Sequence, residues 1–227
     1  NVFPILHKHN ITGIFNINTS CINNSKVLDV HKNHFLRAKL GFKKYRKAFL
    51  KLTENKYDFS DVSPTFLKKI YRWDDFEVAS FNYMINYQIP RSDLSNLLSI
   101  LFSEHIGSEA SFSKELYLNW EKIQLMQKGG MIIGGHSHNH VKLSTSDSSF
   151  ELGKCKEILD ENCLEQEFWP FSYPYGKNDT YNRNTIKHLK SVGFDIAFAN
   201  EQGLIFAGDN EYALNRFDPK DIDDRDH

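Results

Sequence analysis

From Trp120 to Ala199 the chain alternates helix-spaced apolar residues with short apolar runs, and this rhythm restricts it to an α/β architecture built on a parallel sheet. Trp120, Ile123 and Met126 mark a helix closed by Gly129-Gly130. Met131 to Ile133 is then a short apolar run between glycine pairs, the pattern of a strand buried on both faces. Leu152, Cys155 and Leu159 share one helical face, and Trp169 to Tyr173 reads as a strand. Ile186, Leu189 and Val192 form another apolar helix face, with Gly193 placed to end it, and Phe194 to Ala199 is a further strand. At the start, Asn1 to His9 reads as a helix with Pro4 in its first turn, where a missing N–H is tolerated, and Ile11 to Ile17 as a short strand. Such βα repeats predict a sheet that is open or closed into a barrel.

Residues 23–115 differ in character. They are rich in Lys, Phe, Leu and Asn, and Phe35, Leu36, Leu40, Leu94, Leu97, Leu98 and Leu101 fall at helical spacing without convincing strands. This stretch reads as a helical insertion within a single domain spanning 1–227, punctuated by Pro64 and Pro90, with Gly107 ending its last helix. A chain of 227 residues is long enough to bury a core in this arrangement. The formal net charge of −1 provides no basic excess for neutralising phosphates, which argues against a nucleic-acid partner. No apolar stretch approaches the roughly 18 residues needed to span a bilayer. Cys21, Cys155 and Cys163 lack CxxC spacing and are odd in number, so no disulfide framework is expected and a reducing, cytoplasmic compartment is allowed.

The chemistry-bearing segment is Gly134-Gly135-His136-Ser137-His138-Asn139-His140. Three histidines in five residues follow a buried strand, and strand C-termini are where parallel α/β folds place their sites. Neutral imidazole is a common ligand of zinc and similar metals. His136 and His140 are four apart, so a helical turn would face both rings the same way. The plain alternative is a solvent-exposed polar loop, which a single histidine would favour and this cluster does not. A zincin requires Glu after the first His, where this chain has Ser137. An amidohydrolase would use His136 and His138 near the first strand of a barrel, but this cluster lies past mid-chain. The second signal is Phe171-Ser-Tyr-Pro-Tyr-Gly176, in which Pro174 sets an extended bend and Gly176 allows a tight one. The plain reading is a strand ending in a turn; the functional one is that the backbone N–H of Tyr175 faces a developing oxyanion.

Together these segments resemble the polysaccharide deacetylases, carbohydrate esterase family 4, with the NodB homology domain. His136-Ser-His-Asn-His140 matches that family's His-Ser/Thr-x-x-His metal motif, and Leu116 to Trp120 through Met131 to Gly135 resembles the helix and strand leading into it. Phe171 to Gly176 matches its groove-wall motif, and Val2 to Leu6 through Ile14-Phe15 its first helix and second strand. Tyr71 to Phe76 and Asn86 to Pro90 resemble an insertion of members linked to surface-polysaccharide synthesis. The resemblance implies a distorted (β/α) barrel that hydrolyses an N-acetyl group from an amino sugar or polysaccharide. It also implies a divalent metal, typically zinc, held by His136 and His140 plus an aspartate, with a carboxylate general base, Tyr175 as oxyanion donor and Pro174 in the groove wall.

Three features depart from that pattern. The family's Asp-Asp pair, source of its general base and third ligand, belongs on a first strand ahead of residue 1, so the sequence reads as a piece of a longer enzyme. Asp74-Asp75 lies in the predicted insertion and does not replace that pair; Asp29, His31 and His34 read as a polar helix face. The arginine of the third motif is replaced by Ser172, and the late Leu-x-x-His-Asp motif is not visible, which leaves the general acid unassigned; only His188 and His227 follow the cluster. Arg216, in Leu214 to Asp218, is a candidate substrate contact or a surface ion-pair residue. The alternatives to a deacetylase are a non-catalytic carbohydrate-binding or scaffold relative, and a deformylase or other small-amide C–N hydrolase.

Overall fold

The computed structural model describes residues 2–23, 25–54, 56–57, 62–71 and 73–219. In chain order the elements are α1 (Val2–Lys8), β1 (Ile14–Ile17), α2 (Thr19–Asn23), α3 (Asp29–Leu40), α4 (Phe42–Leu52), α5 (Pro64–Ile70) and α6 (Phe76–Tyr83). A π-helical turn, Met84–Gln88, leads to α7 (Arg91–His105) and α8 (Glu109–Leu116). The chain then runs through α9 (Trp120–Lys128), β2 (Ile132–Gly135), α10 (Ser148–Asn162), β3 (Pro170–Ser172), α11 (Arg183–Ser191) and β4 (Ile196–Phe198). Contacts divide the chain into two compact units, residues 1–24 with 116–227, and residues 25–115.

The first unit is α/β. Among the described residues its sheet is four-stranded and parallel, in the order β1-β2-β3-β4. Ile14 pairs with Ile132, Gly135 with Phe171, and Pro170 with Ile196. Side-chain caps set its helix starts. Asn119 accepts from the N–H of Lys122 at α9, Asp147 from that of Phe150 at α10, and Asn182 forms a capping box with Thr185 at α11. Helical periodicity aligns Ile123 on α9, Leu152, Cys155 and Leu159 on α10 and Leu189 on α11 into one buried core with Ile133, Phe171 and Ala197 of the strands. The three cysteines are free thiols, and burial pushes those of Cys21 and Cys155 up to about 12.

The second unit is helical throughout its described elements. Leu36, Tyr45, Phe49, Phe81, Met84, Leu94, Leu98 and Leu101 form its core, where Phe81 meets Tyr45 and Phe49 edge-on at centroid separations of 5.4 and 5.5 Å. Lys32, 3% exposed, is held by Glu109 at 3.0 Å and Asp29 at 3.5 Å, and it donates to Ser99 Oγ. Gly107 does not end the helical stretch. It takes φ +132° in the link between α7 and α8, and Glu109 supplies the acidic first turn that starts α8. Among the described residues no helix is long and apolar enough to cross a membrane.

Candidate active site

The histidine segment emerges from the C-terminal end of β2, beside the end of β1. Gly135, the last strand residue, is crowded by its neighbours: a Cβ there would come within 2.6 Å of the Phe194 ring and 2.9 Å of the Phe171 ring. The backbone then leaves the sheet under close control. The N–H of His136 donates to Ile17 O, Asn18 Nδ2 donates to the carbonyls of His136 and Ser137, and the N–H of Ser20 donates to His138 O. On the other side, the carboxylate of Glu151, on α10, accepts from both the backbone N–H and the side-chain amide of Asn139, each at 2.8 Å.

His136 and His140 are brought together, with ring centroids 4.9 Å apart and planes at 68°. The helical turn expected between them does not form. Residues 136–140 are a bent loop in which Ser137 (φ +59°) and His140 (φ +54°) adopt the left-handed conformation. Such non-glycine residues cost on the order of 1 kcal/mol each and persist where surrounding bonds over-determine them. Here Ser137 Oγ accepts from the N–H of His140 at 3.0 Å and is fully buried.

The tautomer of His136 follows from geometry. Its Nδ1 lies 2.6 Å from the carbonyl oxygen of Ser172, which can only accept, so Nδ1 carries the proton and the lone pair of the neutral ring is on Nε2. A backbone carbonyl on one ring nitrogen is the usual support of a metal-bound histidine. His136 is therefore set up as a ligand of a zinc-like ion, and the neighbouring ring of His140 offers a second imidazole beside it. A catalytic zinc site has three protein ligands, and among the described residues no group of three or more His, Cys, Asp or Glu is disposed to hold a metal.

His138 plays a different part. It is buried, its Nδ1 lies 2.9 Å from Thr19 Oγ1, and its ring meets Phe150 edge-on. Burial lowers its pKa, partly opposed by the charge of Glu151. Its environment is that of a support for the loop.

Opposite the histidines, β3 runs into the Tyr173–Gly176 turn. Tyr175 (φ +62°) and Gly176 (φ +69°) are both left-handed, and a Cβ on Gly176 would come within 2.7 Å of the Asn200 backbone nitrogen. Asn200 ties the turn to the segment after β4 by donating from its N–H to Gly176 O and from Nδ2 to Tyr175 O. Pro174 is buried, and the Tyr175 ring lies 5.2 Å from that of His140. Arg216 arrives from the far end of the chain, where its Nη1 donates to Ser172 Oγ at 3.3 Å. Ser172 thus receives His136 on its carbonyl and Arg216 on its hydroxyl.

The remaining candidates are dispersed. Asp29 pairs with Lys32 and Arg91 on the helical unit, and the burial of His31 there, with the nearby charge of His34, lowers its pKa. Asp74 accepts from Asn82, and Asp75 caps α6. His188 Nδ1 is bonded to Ser148 Oγ, while His227 and Arg72 lie outside the described residues. Sequence reasoning missed Asn18, Thr19 and Glu151. The position of Asn18 and Thr19 just after a strand was the available signal; no spacing pointed to Glu151.

Comparison with known proteins places these features in context. The sequence profile of the polysaccharide deacetylase family matches residues 84–197, about half of the chain. The Bacillus subtilis protein named "Putative polysaccharide deacetylase YxkH" is 27% identical over 109 residues, which cover 47% of this chain and 38% of that protein. Among solved structures, a Bacillus cereus polysaccharide deacetylase is similar with a TM-score of 0.38 and 20% identity, covering 44% of this chain and 31% of that one. The deacetylase PplD of Streptococcus pyogenes gives a TM-score of 0.42 at 19% identity, covering 74% of this chain and 76% of that one.

Proposed function

The chain belongs to the polysaccharide deacetylase family, and we propose that it takes part in metal-dependent hydrolysis of an N-acetyl group on an amino sugar or polysaccharide. The observation that carries this reading is the His136–His140 pair at the end of β2, with the proton of His136 held on Nδ1 by Ser172 O. We read the α/β unit as part of a (β/α) barrel of the deacetylase type and residues 23–115 as an insertion in it.

His136 and His140 would hold two positions of a divalent metal, zinc by the ligand chemistry. Bound there, such an ion would polarise the acetamide carbonyl and activate a water. The backbone N–H of Tyr175, in a turn held rigid by Asn200, would donate to the oxygen on which charge develops. Buried Pro174 would stiffen that wall of the groove. Arg216, anchored on Ser172, would fix the strand end that orients His136, or meet a polar group of the sugar. Two imidazoles do not complete a ligand set, so no general base or acid is assigned to this chain's described residues.

The test is metal content and acetate release by the full-length natural protein with His136→Ala and His140→Ala. Each substitution should lower metal occupancy and reduce acetate release from N-acetylated oligosaccharides by at least about 100-fold. Normal turnover in both metal-stripped variants would overturn the proposal. Binding of oligosaccharide with no acetate release by the unaltered protein would support a non-catalytic carbohydrate-binding relative, and release of formate from formamides a related C–N hydrolase.

A further inference from the structure

Between Val30 and Thr53 the chain carries eight lysines and arginines and no aspartate or glutamate. The fold gathers half of them on one surface. α4 buries Tyr45 and Phe49, and Lys43, Lys44, Lys47 and Lys51 lie exposed on its opposite side. At about 3.6 residues per turn these four fall within an arc of about 100°, and Lys43, Lys47 and Lys51 form a row about 12 Å long. Arg37, whose guanidinium lies over the Phe42 ring at 5.4 Å, adds a cation beside the start of the helix. Arg46, on the flank, is paired with Glu77, whereas none of the four lysines has a carboxylate partner among the described residues.

This arrangement does not stabilise the fold. Lysines four apart on a helix repel, and Lys43 and Lys44 stand in the first turn, where the helix dipole disfavours cations. Surface helices ordinarily intersperse both signs. The next acids along the chain are Glu54 and, outside the described residues, Asp58 and Asp61. They leave the unit basic: over residues 25–115 the sequence, Arg72 included, has 15 Lys and Arg against 11 Asp and Glu, while the rest of the chain has 13 against 18. Local preferences broken without a gain in stability mark a surface with another use.

The surroundings of the row narrow the choice of anion. The exposed arc presents ammonium groups and no large apolar side chain to enter a bilayer. A bilayer or a nucleic-acid duplex also spreads its charge across much of a protein whose formal charge is −1. A single polymer strand lying along the row meets chiefly the lysines within a Debye length of about 8 Å. We propose that the lysine face of α4 binds the carboxylate or phosphate groups of a polysaccharide, so that the class of glycan this protein acts on is anionic. The choice of a glycan rests on the deacetylase reading. α4 then holds the polymer from a unit separate from the one that carries the histidine loop.

The experiment is calorimetric titration of the full chain with a hyaluronan decasaccharide, which alternates glucuronate with N-acetylglucosamine, and with a neutral N-acetylglucosamine hexamer. The test variant is Lys43→Gln with Lys47→Gln and Lys51→Gln; glutamine keeps the helix propensity and all three side chains are exposed, so the fold is retained. The control is Lys122→Gln with Lys128→Gln and Lys187→Gln, exposed lysines of the α/β unit whose loss changes the net charge equally. The unaltered protein and the control should bind the hyaluronan decasaccharide alike, more weakly as salt rises, and the α4 variant about tenfold or more weakly. The Tm of the α4 variant should be no lower than that of the unaltered protein, because repulsion is removed. No binding of the decasaccharide, equal binding by the α4 variant, an equal loss in the control, or a loss accompanied by a lower Tm would overturn the proposal. So would tighter binding, through the same lysines, of phosphatidylglycerol vesicles or duplex DNA. The titration reads binding alone, so acetate release from the neutral hexamer without binding of hyaluronan would overturn this site and leave the deacetylase reading standing.

Discussion

Glu151 is the residue whose replacement most directly tests how the histidine loop is held. Its carboxylate accepts two hydrogen bonds of 2.8 Å from one residue, Asn139, which lies between His138 and His140, and it is only 5% exposed. Glu151→Gln keeps one acceptor oxygen and turns an N–H₂ group toward a donor. One charge-assisted bond is thereby lost, a contribution of about 1.5–3 kcal/mol. Asn139 is exposed, so water can replace part of it, and the lower end of that range applies. For a chain of 227 residues, a loss of about 1.5 kcal/mol lowers the Tm by about 3–6 °C. The larger effect should be on metal. Loss of an outer support of a ligating residue costs about 10–100-fold in affinity, and the unlocked backbone at 139 sits beside the strained His140. Ile158→Val provides the control: it is 2% exposed on the same helix and costs about 1 kcal/mol without touching the loop. Thermal unfolding and competition titration of zinc on both variants make the comparison. Glu151→Gln binding metal as tightly as Ile158→Val, at similar loss of Tm, would refute the claim that this bond pair positions the site.

Two further expectations follow from the geometry. Gly176→Ala places a Cβ against the Asn200 backbone at φ +69°, and backbone cannot swing aside, so chemical denaturation should show a loss of about 2 kcal/mol or more. In the helical unit, burial raises the Glu109 pKa but hydrogen bonds from Lys32, Ser99 and the Val27 N–H, with the charge of Lys32, outweigh it and hold the carboxyl below its ordinary 4.5. A depressed carboxyl stabilises the fold above its unfolded pKa and loses that contribution as pH falls through the folded value. Glu109→Gln should therefore cost about 3 kcal/mol at pH 7, and the difference from the unaltered protein should close as pH drops below 4.5; a gap constant with pH would contradict the ion-pair account.

Much of the architecture follows from local pattern because local physics sets it. Leu152, Cys155 and Leu159 had to share a face at helical spacing, and they are buried in the core. Asn119, Asp147 and Asn182 carry the cap chemistry that begins helices where the apolar spacing starts. The glycine pair at 134–135, before a cluster of histidines, marks a strand end with a purpose, because only a residue without Cβ fits beside Phe194 and Phe171. The family, too, is written in these short segments, since ligand residue types and their spacing are linear features.

What the tertiary structure decided is how the loop is shaped and what holds it. A four-residue spacing is compatible with a helical turn, and the left-handed bend at Ser137 and His140 is held instead by bonds from the distant segment 17–20, from Glu151 and within the loop itself. The tautomer of His136 depends on a carbonyl from β3, and the orientation of that strand's Ser172 on Arg216, which enters from the far end of the chain. Hydrogen bonds between distant segments leave no period in the sequence, because their partners are matched in space by the sheet and not by spacing along the chain. The same holds in the helical unit: Asp74-Asp75 is a plain acidic pair on paper, and folding sets it beside Tyr71, Phe76 and Leu67 around one cleft.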